Sequence, residues 1–152
     1  MRLALYQPDI AGNTGTIIRL GACFGVPVDI IEPCGFPFSD KQLKRAAMDY
    51  AAAAQISRRA NYSEFRNAMA ADRHRIVLLS SKGKARLSDA RFEPGDVLLL
   101  GSEGAGAPPS VHEEAALTVR IPMREGFRSL NIAVAAGIAL GEALRQTGLY
   151  PP

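Results

Sequence analysis

The sequence predicts a three-layer α/β domain with a mainly parallel sheet, and three observations lead to this prediction. Short runs of branched aliphatic residues alternate with helical patterns along the chain, as in βαβ units. The runs RIVLLSS and DVLLLGSEG are continuously apolar, which is typical of strands buried on both faces of a parallel sheet. A chain of 152 residues is long enough for one sizeable core, so we predict a single domain over residues 1–152.

The first predicted elements are a strand at residues 3–6 and a helix. Pro8 and Gly12 interrupt the apolar run of the strand, and we predict that Asn13 caps the helix. Apolar residues recur at helical spacing over residues 17–24, which predicts one buried face. Arg19 falls off this apolar stripe, near the carboxyl end of the strand. Both a solvated surface arginine and a functional one fit this position.

The middle of the chain contains one further predicted strand, two predicted helices and one ambiguous stretch. PVDIIEP reads as a buried strand between prolines, and SDKQ at residues 39–42 has the pattern of a capping box that opens a helix. The alanine run at 51–54 is ambiguous, because propensity extends the helix whereas the following QISRR is compatible with a short strand. NYSE then begins a helix that we expect to reach residue 71.

The last third of the chain contains three predicted strands and two helices. Two strands come from RIVLLSS and DVLLLGSEG, and LTVRIPM is the third. We predict that Ser110 and Glu113 cap a short helix, and that a long final helix spans residues 130–146 with Gly148 as its C-cap. Small residues are frequent on this final helix, and both core packing and a subunit interface account for them.

Composition narrows the classes of protein. No apolar run approaches the roughly 20 residues of a membrane span, and no secretory signal is recognisable, so we expect a cytoplasmic protein without a membrane partner. Two cysteines and two isolated histidines predict no metal site. Arginine outnumbers lysine by 14 to 4, which favours a phosphate-bearing partner because guanidinium binds phosphate bidentately. The basic clusters are Lys41, Lys44 and Arg45; Arg58 and Arg59; Arg73 and Arg75; Lys82, Lys84 and Arg86; and Arg124 and Arg128.

A binding crevice is predicted at the carboxyl ends of the strands, where open α/β sheets bind their ligands. Four polar or glycine-rich segments follow predicted strands: AGNTG, SSKGK, GSEGAGAP and PMREGFRSLN. We expect them to meet at one edge of the sheet. Glu103 stands in a loop otherwise without charge, and we expect it to cap a helix or to bind Arg19.

Several familiar motifs do not match. GSEGAGAP has neither the spacing nor the position of a dinucleotide fingerprint, and it lacks the lysine of a Walker A loop. The serine hydrolase pattern fails because Leu100 stands where the first glycine belongs. No P-C-x-x-C follows His112, which excludes a zinc deaminase, and we expect His112 to be an exposed helix residue.

Three segments, NTGTIIR, LLLGSEGAGAP and IPMREGFRSLNIAVAAG, resemble in order and spacing the three motifs of the SPOUT RNA 2′-O-ribose methyltransferases. The resemblance extends over nearly the whole chain. It implies a deep C-terminal trefoil knot, S-adenosylmethionine as methyl donor and no metal. It also implies a homodimer that packs through the first and last helices.

The resemblance assigns roles to ten residues. Arg19 would lie at the ribose 2′-hydroxyl, where we expect it to orient the adjacent phosphate and stabilise the forming alkoxide, because a guanidinium does not readily accept a proton. Asn13 and Glu103 would support that geometry, and Asn131 would brace the third motif. The cofactor would be held by Leu79, Gly101, Ile121, Met123, Ser129 and Leu130.

Without an added RNA-binding domain, the chain is most similar to the minimal members of this family. They methylate the wobble nucleotide of tRNA, a cytidine or 5-modified uridine at position 34, which implies binding of the anticodon loop and, by likeness, leucine tRNAs as substrates. Another RNA such as ribosomal RNA, and a non-catalytic RNA-binding module, are the alternatives. The second motif reads GSEGAGAP where many relatives read GPETRGLP, and Ala133, Val134 and Gly141 also depart from the common pattern.

Overall fold

A computed structural model of the chain describes residues 1–37, 50 and 52–152. The predicted capping box at 39–42 and part of the alanine run at 51–54 lie outside the described residues. The elements, in chain order, are β1 (Arg2–Tyr6), α1 (Ala11–Phe24), β2 (Val28–Ile31), β3 (Ile56–Arg59), α2 (Tyr62–Ala71), β4 (Arg75–Leu79), β5 (Ala85–Arg86), β6 (Asp96–Leu100), α3 (Pro109–Glu114), β7 (Leu117–Arg120) and α4 (Ile132–Thr147).

The described strands form one sheet in the order β3-β2-β1-β6-β4-β7-β5. Each adjacent pair is parallel, with Leu3 opposite Leu98 and Leu78 opposite Leu99 in the central strands. The predicted α/β class with a parallel sheet is therefore confirmed. The trefoil knot stays a prediction.

Helices cover both faces of the sheet and create two cores. Leu5, Val77 and Leu98 point to the face that packs against α1 and α4. The intervening residues of the same strands, such as Leu78 and Leu99, pack on the other face against α2 and α3. Because both faces are buried, the strands read as continuous apolar runs, as predicted for a three-layer structure.

The local predictions succeed at some helix ends and fail at others. Asn61 caps α2 by accepting a hydrogen bond from the Glu64 backbone N–H at 2.9 Å, and Gly148 ends α4 with a φ of 68°. Asn13 does not cap α1: it is the third residue of a helix whose N-cap is Ile10. Ser110 does not cap α3 either, since that helix begins at Pro109 after Pro108, whose ring presets the backbone.

The strand order also locates the binding edge. The chain first builds outward from β1 to β2 and β3, and then places β6, β4 and β7 on the other side of β1. The chain connection that leaves β1 therefore runs toward one edge of the sheet, and the one that leaves β6 runs toward the other edge. In parallel sheets such a switch point leaves a crevice outside the carboxyl ends of the two strands.

Candidate active site

A cavity of about 480 Å³ opens at the carboxyl edge of the sheet. It is lined by the loops that follow β1, β4, β6 and β7, which are four adjacent strands. Each of the four polar segments predicted to meet at this edge contributes to the lining, so that prediction is confirmed. Convergence follows from the parallel sheet, because every one of these strands ends on the same side.

The six residues expected to hold the cofactor all line this cavity: Leu79, Gly101, Ile121, Met123, Ser129 and Leu130. Leu79 is almost fully buried at the end of β4, and Ile121 and Met123 are half-buried beyond β7. Ser129 and Leu130 are exposed at the mouth. The cavity thus has an aliphatic wall inside and a polar, solvent-accessible rim.

The loop after β6 is folded back on itself by the pairing of Ser102 with Gly106. Their backbone groups exchange two hydrogen bonds, at 3.2 and 2.9 Å, and Gly106 adopts a φ of 70° that favours glycine. Gly101 is held closely against this turn, since a Cβ placed on it would lie 2.5 Å from the Gly106 carbonyl carbon. The loop therefore presents backbone to the cavity at very short range.

A chain of hydrogen bonds connects three of the lining loops. The Asn131 side-chain amide donates to Asn13 Oδ1 at 3.0 Å, and Asn13 Nδ2 donates to Glu103 Oε1 at 3.2 Å. The other oxygen of Glu103 accepts from the Asp9 backbone N–H at 2.7 Å, and Asp9 Oδ2 accepts from the Gly104 backbone N–H at 2.9 Å. The loops after β1 and β6 are therefore connected in both directions across the switch point.

Asn131 also fixes the start of α4. Its Oδ1 accepts hydrogen bonds from the backbone N–H groups of Ala133 and Val134, at 2.9 and 3.3 Å, and so caps the helix. The side chain thus uses its oxygen for the helix and its nitrogen for Asn13. Asn131 thus connects the start of α4 to Asn13 on α1, which is the kind of contact expected of a residue that braces the third motif.

Arg19 lies apart from this network. Its side chain is exposed on α1, and its guanidinium carbon lies 4.6 Å from the ring centroid of Tyr50. Arg19 is not among the described residues that line the cavity. Glu103 accepts hydrogen bonds from the Asp9 backbone N–H and from Asn13 Nδ2, and its expected interaction with Arg19 stays a prediction.

Sequence reasoning missed two residues of this site. His112 is half-buried and lines the cavity, contrary to the expected exposed position. The preceding residue, Val111, is buried in the core and so orients the six-residue helix α3. This orientation places His112 at the cavity. Asp9, which bonds to Glu103 and Gly104, was also missed. Its position between the first strand and the glycine-containing first motif was the signal that could have identified it.

Two of the five predicted basic clusters contain an arginine that stabilises the fold, Arg59 in one and Arg75 in the other. Asp29 is fully buried and pairs with Arg2 and Arg59, while the fully buried Asp96 pairs with Arg75. Burying such carboxylates requires these partners. The basic residues close to the cavity are different ones: Lys82 lines it, and Arg124 and Arg128 lie in the exposed segment between two lining residues.

The two cysteines differ in exposure. Cys23 is exposed, whereas Cys34 is half-buried. Burial raises the pKa of the Cys34 thiol to about 11, and the nearby charges of Glu32 and Glu103 add to the increase. Cys34 therefore remains protonated at neutral pH and is a weak nucleophile.

The described residues contain no group of three or more histidine, cysteine, aspartate or glutamate side chains placed to hold a metal ion. In the same part of the chain, no helix combines the length and apolar character needed to cross a bilayer.

The fold and the cavity define the class of protein: an α/β protein with a small-molecule site at a topological switch point. The SpoU rRNA Methylase family matches residues 1–141 of the chain. The chain therefore belongs to the SpoU methylase family of RNA-modifying enzymes, in agreement with the three motifs of the sequence.

Individual relatives are similar over nearly the whole chain. A tRNA (cytidine(34)-2'-O)-methyltransferase of Beijerinckia indica is 51% identical over 146 residues, covering 96% of this chain and 91% of the relative. A structure described as "Structural insights into the 2-OH methylation of C/U34 on tRNA" has a TM-score of 0.90 and 41% identity, and the match covers 95% of this chain and 94% of that one. The SpoU methyltransferase AviRb of Streptomyces viridochromogenes, solved with AdoMet, has a TM-score of 0.87 and 26% identity, covering 96% of this chain and 57% of AviRb.

Proposed function

We propose that this protein is an S-adenosylmethionine-dependent tRNA 2′-O-ribose methyltransferase that modifies a cytidine or 5-modified uridine at position 34. Leucine tRNAs are the expected substrates. The observation that carries the proposal is the single cavity that joins all six expected cofactor residues to the Asn13, Glu103 and Asn131 network. The names of the similar tRNA methyltransferases and the C/U34 structure support it.

The cavity suits the proposed cofactor. Its volume of about 480 Å³ lies within the usual range for small-molecule sites, roughly 300–1,000 Å³. Leu79, Ile121 and Met123 offer an aliphatic surface to an adenine ring, and the folded glycine loop offers backbone groups. When bound, S-adenosylmethionine supplies a methyl group on a positively charged sulfur.

Arg19 acts on the RNA in this proposal. Because a guanidinium is a hydrogen-bond donor and not a proton acceptor, Arg19 would orient the phosphate beside the target ribose and stabilise negative charge that develops on the 2′-oxygen. Its position outside the cavity lining of its own chain fits a contact with RNA and not with the cofactor. Asn13, Glu103 and Asn131 hold the loops that position the ribose.

The substrate is tested with recombinant protein, labelled S-adenosylmethionine and purified leucine tRNA. Methyl transfer is expected to unmodified tRNA and not to the same tRNA already 2′-O-methylated at position 34. Equal labelling of both would place the target elsewhere. Labelling of ribosomal RNA alone would support the first alternative, and RNA binding without transfer would support a non-catalytic module.

Glu103 provides a test of the hydrogen-bond network. Glu103→Gln replaces one carboxylate oxygen with an amide nitrogen, which cannot accept a hydrogen bond. The variant therefore loses one of the two hydrogen bonds that Glu103 accepts, either from the Asp9 N–H or from Asn13 Nδ2. Such a bond contributes about 1.5–3 kcal/mol, so we expect kcat to fall by roughly 10- to 150-fold. Glu113→Gln removes the same charge from an exposed position on α3 and serves as control. Equal rates for the two variants would contradict a positioning role for Glu103.

A homodimer through α1 and α4 is the proposed assembly. On α4, Val134 and Ile138 are about half exposed and lie four residues apart on one helix face, beside Gly137. A second copy of the chain would cover this apolar strip. Ala136, in contrast, is fully buried in the core of its own chain, so substitutions there test folding and not assembly.

Gly137→Leu is expected to weaken the dimer. A Cβ at Gly137 has no atom within 4 Å in its own chain, so the added side chain extends outward and the helix itself gains propensity. Overpacking of the interface should cost about 1–3 kcal/mol. Light scattering across a dilution series measures the change. A mass of one chain for the unmodified protein would remove the premise.

A further inference from the structure

Phe127 is an unusually exposed aromatic residue for its position. Its side chain is 71% exposed, the highest value among the large hydrophobic residues of the described chain. Tyr150, by comparison, is also exposed but packs edge-on against Phe24 and donates a hydrogen bond to the Gly141 carbonyl. Leaving most of a phenyl ring in water forgoes the free energy that burial of an apolar surface would contribute, so its place on the surface calls for a reason.

The backbone holds Phe127 at the mouth of the cavity. Residues 124–128, here named the rim segment, connect Met123 to Ser129, and both of these line the cavity. Two residues of chain span at most about 7 Å, so the Phe127 Cα lies within that distance of the Ser129 Cα. A turn in which the Phe127 N–H donates to the Arg124 carbonyl at 3.4 Å, with Gly126 at a φ of 90°, fixes the bend.

The neighbours of Phe127 indicate the chemistry of a partner. Arg124 and Arg128 flank it in the rim segment, and both are exposed. An aromatic face between cationic side chains is the combination by which proteins bind unpaired nucleic acid: cations contact phosphates while bases stack on the ring. A base within a paired stem is already stacked on both sides, so an unpaired base is the ligand that fits.

We propose that Phe127 is a specificity-determining residue that stacks on an unpaired base of the RNA substrate, at or next to the nucleotide whose ribose enters the cavity. This inference rests on the proposed function and adds the means by which the site prefers a loop to a stem. A second protein subunit is the competing occupant. The apolar strip on α4 fits a subunit better, because Val134 and Ile138 lie four residues apart on one helix, whereas Phe127 lies between Arg124 and Arg128 along the chain.

The kinetic test compares Phe127→Ala, Phe127→Leu and Phe127→Tyr in methyl transfer to leucine tRNA. We expect KM for tRNA to rise roughly 5- to 100-fold in the alanine variant, in line with measured effects of removing one stacking contact. The tyrosine variant should keep near-normal KM, and the leucine variant should resemble alanine, because it keeps apolar surface without a π face. S-adenosylmethionine affinity should not change. The salt dependence of binding should also be retained, whereas Arg128→Ala should reduce it.

A direct test uses the absence of tryptophan from the sequence. In Phe127→Trp the new side chain is the single indole, and its fluorescence should be quenched by a stem–loop RNA with the anticodon sequence and not by the same RNA annealed to its complement. Abasic nucleotides are then placed one at a time around the loop. At the position whose base stacks on Phe127, the abasic RNA should bind the original protein and Phe127→Ala with equal affinity. The stacking contact is then absent from both complexes, so the two changes are not additive.

The outcomes separate this inference from the proposed function. If the original protein methylates tRNA and Phe127→Ala has the same KM, stacking is refuted while the function stands. If the original protein transfers no methyl group to any RNA, the proposed function fails. A change of mass in Phe127→Ala by light scattering, with unaltered RNA affinity per subunit, would assign Phe127 to a subunit interface and overturn the inference.

Discussion

Arg19→Ala is expected to lower kcat for methyl transfer by about 10²- to 10³-fold, the usual cost of removing one group that stabilises developing negative charge. Affinity for S-adenosylmethionine should change by no more than a few-fold, because Arg19 lies outside the cavity lining. Loss of the surface cation–π contact with Tyr50 should by itself lower the free energy of unfolding by about 0.5–1 kcal/mol. Single-turnover kinetics, calorimetry with cofactor and thermal unfolding measure the three quantities separately.

Arg19→Lys is the matched control for charge. Lysine keeps the positive charge but acts as a point charge, without the planar fork that binds phosphate bidentately. We expect it to recover part of the lost rate and to remain below the original protein. Full activity in Arg19→Lys would mean that charge alone suffices, and loss of cofactor binding in Arg19→Ala would place the arginine at the cofactor instead.

The sheet and the location of the site could be predicted because their signals are local. Runs such as those ending in Leu79 and Leu100 are apolar at every position, which identifies strands covered on both faces. Once the strands are known to be parallel, the loops that follow them must lie at one edge. The lining by Asn13, Ser80 and Met123 is a consequence of that geometry and needs no knowledge of strand order.

The contacts within the site could not be predicted in the same way, because they join residues distant in sequence. Asn13 has the residue type of an N-cap, yet its partner Glu103 is 90 positions away, and the tertiary contact determines its role. Arg59 and Arg75 look like surface cations until the buried Asp29 and Asp96 are placed beside them by the strand register.

The two-residue strand β5 shows a limit of pattern reading. Ala85 and Arg86 carry no apolar alternation, and they pair with Val119 and Arg120 at the sheet edge because the preceding turn brings them there. Gly83 permits this turn, since a Cβ at that position would lie 2.3 Å from the Val119 carbonyl carbon. An element this short is defined by its neighbours and not by its own sequence.

Gly101→Ala is expected to weaken S-adenosylmethionine binding by about 10²-fold. The added Cβ would lie 2.5 Å from the Gly106 carbonyl carbon and 2.6 Å from the Ala107 nitrogen. Both are backbone atoms of a turn closed by two hydrogen bonds, so the turn itself must move by several tenths of an ångström or more. A misplacement of about 1 Å in a positioning element costs up to about 10²-fold in reaction rate, and we expect a loss of cofactor affinity on the same scale.

The control lies at the other end of the same strand. Gly95 precedes β6 as Gly101 follows it, and a Cβ at Gly95 would contact only the His74 ring nitrogen, at an ordinary 3.8 Å. Gly95→Ala should therefore retain cofactor affinity, measured by calorimetry with S-adenosylmethionine, and both variants should unfold cooperatively on heating. If Gly101→Ala folds and binds the cofactor as tightly as Gly95→Ala does, the folded glycine loop is not a wall of the cofactor site, and the assignment of this cavity to S-adenosylmethionine is wrong.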